Sequence, residues 1–153
     1  MNAAQPAFHD LVNAAFARYL ALRPGGLQMP YGSLVQTLRV RLLAFHSART
    51  LYENHHPRCR SLDGIQSLDE RRACAACLLR KTCTPQIYLE LLHDHVPYRL
   101  LLAYSSARNF MLFASRLRQQ GQTIENAEVL LSVRDRGRWG ELRFISPPPQ
   151  PPL

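Results

Sequence analysis

Four cysteines, the residues of this chain best suited to chemistry, lie within one arginine-rich segment, residues 57–86. Their spacing is C-x14-C-x2-C-x5-C, formed by Cys59, Cys74, Cys77 and Cys83. A C-x2-C pair lets two thiolates reach one ion from a tight turn, and two flanking cysteines can complete a closed tetrahedron. The segment is poor in apolar residues, so a bound metal would supply the free energy that folds it. The spacing therefore predicts a structural metal site with four sulfur ligands.

Zinc is the metal that this spacing favours, and an iron–sulfur cluster is the alternative, because both accept four thiolates. The run "CAACLLRKTC" (74–83) resembles the C-x2-C-x5-C element of a class of iron–sulfur nucleases, but their acidic and lysine motifs have no counterpart here. Ser-His-Asp arrangements, phosphate-cradling glycine loops and His-Glu-x-x-His runs are also absent from the sequence. We therefore predict a protein that is not an enzyme.

The charge of the chain points to a polyanionic partner. The formal net charge is +8, and of the 19 basic residues all but Lys81 are arginine. Arginine presents a planar fork of donors that suits phosphate and stacks on bases. A GC-rich genome would explain arginine in place of lysine, but not the excess of positive charge. No signal peptide or membrane span is predicted, so we expect a cytoplasmic protein without a membrane partner.

Single-stranded nucleic acid requires a basic groove and aromatic faces on which bases stack. Trp139, beside the turn "DRGR", is the stacking candidate, and a cap on the sheet edge is the alternative role for it. Further basic residues elsewhere in the chain are Arg99, Arg108, Arg116, Arg118, Arg134 and Arg143. The predicted nucleic-acid contacts are Arg39, Arg41, Arg58, Arg60, Arg71, Arg72, Arg80, Lys81, Arg136, Arg138 and Trp139.

Hydrophobic periodicity outlines the elements that carry these residues. Residues 6–22 show an apolar stripe at helical spacing, and alternation from Thr37 predicts a strand with Arg39 and Arg41 on its outer face. A second extended piece is predicted from about Arg49 to Asn54. The later chain predicts a hairpin (86–93 and 98–104), a helix (105–120) capped by Ser105 or Ser106 and ended at Gly121, and a second hairpin (127–135 and 139–145).

These elements predict an α+β fold: a small OB-like barrel or sheet with a cysteine loop, an N-terminal amphipathic helix and one helix before the last hairpin. One domain would span residues 1–146, with an N-terminal helix and linker (1–30), the metal loop (57–86) and the hairpin–helix–hairpin unit (87–146). Residues 147–153, rich in proline, would be a disordered tail. The N-terminal helix or this tail could bind a protein partner, and the sequence is compatible with an oligomer.

The whole pattern resembles zinc-loop, OB-like proteins of phages and mobile elements that are thought to bind single-stranded DNA. Their C-x-S-x-D-G element is matched by Cys59, Ser61, Asp63 and Gly64, and the second element, which contains their C-x2-C pair, by Cys74, Cys77 and Cys83. The resemblance implies single-stranded DNA binding, although the acidic C-terminal tip that commonly recruits replication enzymes is missing here. The alternatives are a protein-interaction adaptor, or an accessory of a nuclease or recombinase. DNA and RNA are not distinguished at this stage.

Overall fold

The computed structural model describes residues 18–54, 56–61, 67, 73–77 and 82–148, which form two antiparallel sheets and one α-helix. The elements are β1 (Ala21–Arg23), β2 (Gly26–Gln28), β3 (Leu34–Val35), β4 (Thr37–Glu53), β5 (His56–Ser61), β6 (Thr84–His93), β7 (Val96–Ala103), α1 (Tyr104–Gln119), β8 (Glu128–Asp135) and β9 (Gly140–Ile145). The larger sheet has six strands in the order β7-β6-β4-β8-β9, with β5 also paired to β4, and the smaller has the order β1-β2-β3.

Strand β4 is the spine of the larger sheet. Its 17 residues pair with β8 near the start, with β6 along most of the length and with β5 at the end. Leu38, Val40 and Leu42 alternate into the core, as the period of two predicts. The two extended pieces that the sequence predicts are thus one strand, whose register shifts between Leu42 and Ala44.

Both predicted hairpins are confirmed. Strands β6 and β7 are joined by Asp94 and His95, whose φ angles of 51° and 65° are those of a two-residue turn with the twist that hairpins favour. Strands β8 and β9 pair from Leu130–Ile145 to Asp135–Gly140. Local alternation and turn chemistry were sufficient for these elements because their partners are neighbours in sequence.

Helix α1 packs its apolar side on the larger sheet and its N-terminal half along the free edge of β9. Phe110 is fully buried, with its ring centroid 5.3 Å from that of Phe45 and 5.4 Å from that of Phe144. The Leu142 amide donates to Ser106 Oγ at 2.9 Å, and Asn109 Nδ2 donates to the Leu142 carbonyl at 3.0 Å. The helix therefore satisfies backbone groups that an edge strand would otherwise leave open.

Of the two predicted signals at the ends of α1, the C-terminal one is confirmed and the N-terminal one is wrong. No side chain caps the N-terminus, and Ser106 is instead used by β9, so the predicted serine cap is wrong. Gly121 follows the helix with a φ of 73°, and its amide donates to the Arg118 carbonyl at 3.0 Å. This left-handed residue ends the helix as predicted.

The small sheet was not predicted. From Arg18 onward the chain is extended, so the predicted helix is wrong over residues 18–22, whereas residues 6–17 lie outside the described residues. Leu27 and Met29 of this region are buried in the core. A Cβ at Gly140 would collide with the Arg23 carbonyl, so only glycine lets β1 approach the start of β9 this closely.

The α+β class is confirmed at the level of antiparallel sheets and one helix. In the described part of the chain the strands do not close into a barrel. No helix among the described residues is long and apolar enough to span a membrane.

Candidate nucleic-acid interface

Cys59 and Cys83 lie on opposite sides of β4. Cys59 pairs with Leu51 across the β4–β5 ladder, whereas Cys83 directly precedes Thr84, which pairs with Thr50 on the β6 side. Strand β4 therefore lies between the backbones of these two residues. The sulfurs of a tetrahedral zinc site must all lie about 2.3 Å from one ion.

The other two cysteines, Cys74 and Cys77, flank a single 3-10 turn in which the Cys77 amide donates to the Cys74 carbonyl at 3.2 Å. None of the four cysteines forms a disulfide, and among the described residues no group of three or more histidine, cysteine, aspartate or glutamate side chains could hold a metal ion. The prediction of zinc, or of an iron–sulfur cluster, on Cys59, Cys74, Cys77 and Cys83 is therefore wrong.

The Cys83 thiol is not activated as a nucleophile. Burial raises its pKa, and the neighbouring thiols of Cys77 and Cys59 raise it further, against the opposite effect of Arg49. The neutral thiol is the less reactive form, because the thiolate is the nucleophile. This part of the sheet therefore offers no thiolate at Cys83 for chemistry near neutral pH.

The predicted basic residues do not form one surface. Arg58 and Arg60 lie on β5 at the far end of β4, whereas Arg136, Arg138 and Trp139 form the turn between β8 and β9. That turn lies beyond the start of β4, and an extended strand as long as β4 spans up to about 55 Å. The remaining members of the predicted set, Arg71, Arg72, Arg80 and Lys81, lie outside the described residues, as do Asp63 and Gly64.

Carboxylates already bind several of these arginines. The ion pairs are Arg39 and Arg41 with Glu128 at 3.1 and 3.4 Å, Arg58 with Glu53 at 3.1 Å, and Arg136 with Glu141 at 2.7 Å. Trp139 is 46% exposed at the hairpin turn, where its carbonyl accepts from the Arg136 amide. The indole is thus accessible for stacking.

Strands β4, β8 and β9 present one side to solvent, which we call the open face. Its residues are Thr37, Arg39, Arg41, Glu128, Leu130, Ser132, Arg134, Arg143 and Ile145, and each is exposed or half-buried. Paired residues of antiparallel strands point to the same side, and the register places Arg143, Ser132 and Thr37 in one row. The next row holds Ile145, Leu130 and Arg39, so the Cα atoms of Arg143 and Arg39 lie about 12 Å apart.

A groove of about 550 Å³ adjoins the open face between α1 and β9, and we call it the edge groove. Arg116 of the helix lines it together with Arg134 and Arg143 of the hairpin. None of these three arginines forms an ion pair within the described residues. The groove also has polar and apolar lining residues, among them Asn109, Gln120, Leu117, Phe144 and Ile145. From the sequence, these arginines could be counted only as further basic residues, because they share one groove only when α1 packs against β9.

Glu141 anchors the hairpin at one end of the edge groove. Its side chain is nearly buried, accepts from Arg136 Nε at 2.7 Å, and accepts from Asn109 Nδ2 at 3.0 Å. The bonds from Arg136 and Asn109 hold the pKa of this carboxyl below its ordinary value. Glu141 is therefore a carboxylate at neutral pH and forms an ion pair with Arg136, which makes that arginine a poor phosphate ligand.

A Glu141→Gln substitution tests this anchor through its pH dependence. We expect a loss of roughly 1–2 kcal/mol in the free energy of unfolding at neutral pH, because a charge-assisted bond is replaced by a neutral one. A carboxylate with a lowered folded pKa stabilises fully above its ordinary pKa of about 4.3 and loses that effect as pH falls through the folded pKa. Urea unfolding of both proteins should therefore show a difference in the free energy of unfolding that closes as the pH falls through the folded pKa of Glu141.

The control is Glu125→Gln, which makes the same charge change at an exposed position without a described ion pair. Its unfolding free energy should differ from that of the unmodified chain by no more than about 0.5 kcal/mol. If the difference in the free energy of unfolding between Glu141→Gln and the unmodified chain stayed constant from neutral to acidic pH, Glu141 would contribute through its shape and not through its charge.

Comparisons with known proteins returned nothing similar: no family model matches the chain, and neither curated proteins nor solved structures gave a match.

Proposed function

We propose that this chain binds single-stranded nucleic acid along the open face and the edge groove, and that it does so without catalysing a reaction. The observation that carries the proposal is that Arg116, Arg134 and Arg143 line one groove and that none of the three forms an ion pair in the described part. Glu141 lines the same groove and is lowered in pKa by the charge of Arg134 as well, but its direct ion pair is with Arg136. Three guanidinium side chains that line one groove can bind successive phosphates of a strand.

The mixture of charge and apolar surface favours a single strand over a duplex. Ile145, 40% exposed, and the half-buried Leu130 lie side by side between the arginines of the open face. A duplex keeps its bases stacked inside and would set charged backbone against these side chains. A single strand can turn its bases onto them and onto Trp139 while its phosphates meet the arginines.

The proposal that this chain catalyses no reaction rests on the protonation state of the carboxyl groups near the arginines. Hydrogen bonds from Arg136 and Asn109 lower the pKa of Glu141, and hydrogen bonds from Arg39 lower that of Glu128. Neither carboxyl is therefore set up to donate a proton near neutral pH. The phage or mobile-element class and the cytoplasmic location stay predictions from the sequence.

Fluorescence anisotropy of labelled oligothymidine against a matched duplex, over a range of salt concentrations, tests the proposal. We expect single-strand binding to dominate, with a slope of log affinity against log salt of about −2, since three phosphates at about 0.7 each are released from counterions. Equal binding of both forms would indicate a general polyanion surface. Binding of neither form at low salt would contradict the proposal and favour a protein-docking role.

A further inference from the structure

A second groove continues the edge groove towards the loop before β8, and Glu128 lines it. The two grooves share Leu117, Gln120 and Ser146. An extended ligand that leaves the three arginines of the edge groove along this path therefore reaches Glu128, which has already bound Arg39 and Arg41. Two further guanidinium groups thus lie where the path continues, and a single carboxylate holds both.

The two carboxylates that bind arginines near this path differ in how firmly they do so. The Glu141–Arg136 bond is 2.7 Å long, the Glu141 side chain is 8% exposed, and Asn109 bonds it as well. The Glu128 bonds are longer, at 3.1 and 3.4 Å, and its side chain is 43% exposed. Solvent-exposed ion pairs contribute little to stability, so a phosphate can exchange for Glu128 more readily than for Glu141.

We infer that Glu128 competes with phosphate for Arg39 and Arg41, and that it thereby limits the length of single strand that this surface binds tightly. The inference rests on the proposed function. Hydrogen bonds and charge from Arg39 and Arg41 lower the pKa of Glu128, so the competing carboxylate is ionised throughout the neutral range. Without Glu128 the site would gain two phosphate contacts.

The chain offers a matched control for this inference. Glu125 lines the same second groove and is exposed, but it makes no described ion pair with an arginine. Glu128→Gln and Glu125→Gln therefore change the net charge equally, and only the first frees two arginines. Anisotropy titrations of both variants with oligothymidine, at several salt concentrations, separate the two effects.

For Glu128→Gln we expect the salt slope to become more negative by about 1.4, the value for two more phosphates on a single strand. Affinity at low salt should rise on the order of 100-fold for a long oligonucleotide, because two charge-assisted contacts with phosphate are gained. Glu125→Gln should keep the slope of the unmodified chain. Adding Arg39→Ala and Arg41→Ala to Glu128→Gln should return the slope to about −2.

Equal slopes for Glu128→Gln and Glu125→Gln, with the unmodified chain still binding single strands, would overturn the inference and leave the proposed function standing. Failure of all three proteins to bind would overturn both. Thermal unfolding of each variant, compared with that of the unmodified chain, checks that the substitutions at these exposed positions leave the fold intact.

Discussion

Replacing Arg134 and Arg143 together with alanine is expected to weaken single-strand binding on the order of 100-fold at low salt. Each guanidinium would lose a charge-assisted contact with phosphate, and such contacts are worth about 1.5 kcal/mol or more. The salt slope should become less negative by about 1.4 for the two lost contacts. Anisotropy with oligothymidine of about 20 nucleotides measures both quantities. An oligonucleotide of this length exceeds the roughly 4–16 nucleotides that one small single-strand-binding fold covers.

The control for this pair is Arg108→Ala with Arg118→Ala. Both residues are exposed on α1, neither lines the edge groove, and their removal lowers the net charge by the same amount. We expect only a small loss of affinity from the lower net charge. Equal losses from the two double variants would mean that total charge binds the nucleic acid, and the edge groove would have no special role.

Replacing Phe110 with alanine is expected to lower the free energy of unfolding by about 3–5 kcal/mol, the usual cost of deleting a buried phenylalanine. Phe110 is fully buried between Phe45 of β4 and Phe144 of β9. It is therefore the side chain that ties α1 to two strands, and its loss should also weaken the edge groove that α1 forms with β9. Chemical denaturation followed by circular dichroism gives the change.

The adjacent Met111 provides the comparison, because it belongs to the same helix but is 53% exposed. Its replacement by alanine should change the free energy of unfolding by less than about 0.5 kcal/mol. If the two substitutions destabilised the protein equally, helix propensity and not core packing would be the cause, and the description of Phe110 as a core contact would be wrong.

Elements long enough to show a periodic pattern were predictable, whereas very short strands and a strand within a polar segment were not. The alternation of Leu38, Val40 and Leu42 predicts a strand with Arg39 and Arg41 outward, and the structure agrees. Strands β1 to β3 are two or three residues long, which is too short for a periodic pattern to be recognised. Strand β5 lies in the cysteine segment, where charged and polar residues hide any alternation.

The metal prediction failed because spacing along the chain does not fix spacing in space. The C-x2-C run keeps Cys74 and Cys77 on one turn, but β4 lies between Cys59 and Cys83. The basic surface was predictable in composition and not in geometry. Glu128, which neutralises Arg39, is 89 residues away in sequence, so only the pairing of β4 with β8 brings them together.

Photocrosslinking tests the central claim most directly, namely that a single strand lies on the open face and in the edge groove. An oligothymidine that carries photoreactive thymidine analogues would be irradiated in complex with the chain, and the attached peptides identified by mass spectrometry. The account predicts crosslinks within β8, β9, the turn at Trp139 and the C-terminal half of α1. Crosslinks confined to β5 and the cysteine segment, with none in the hairpin, would contradict it.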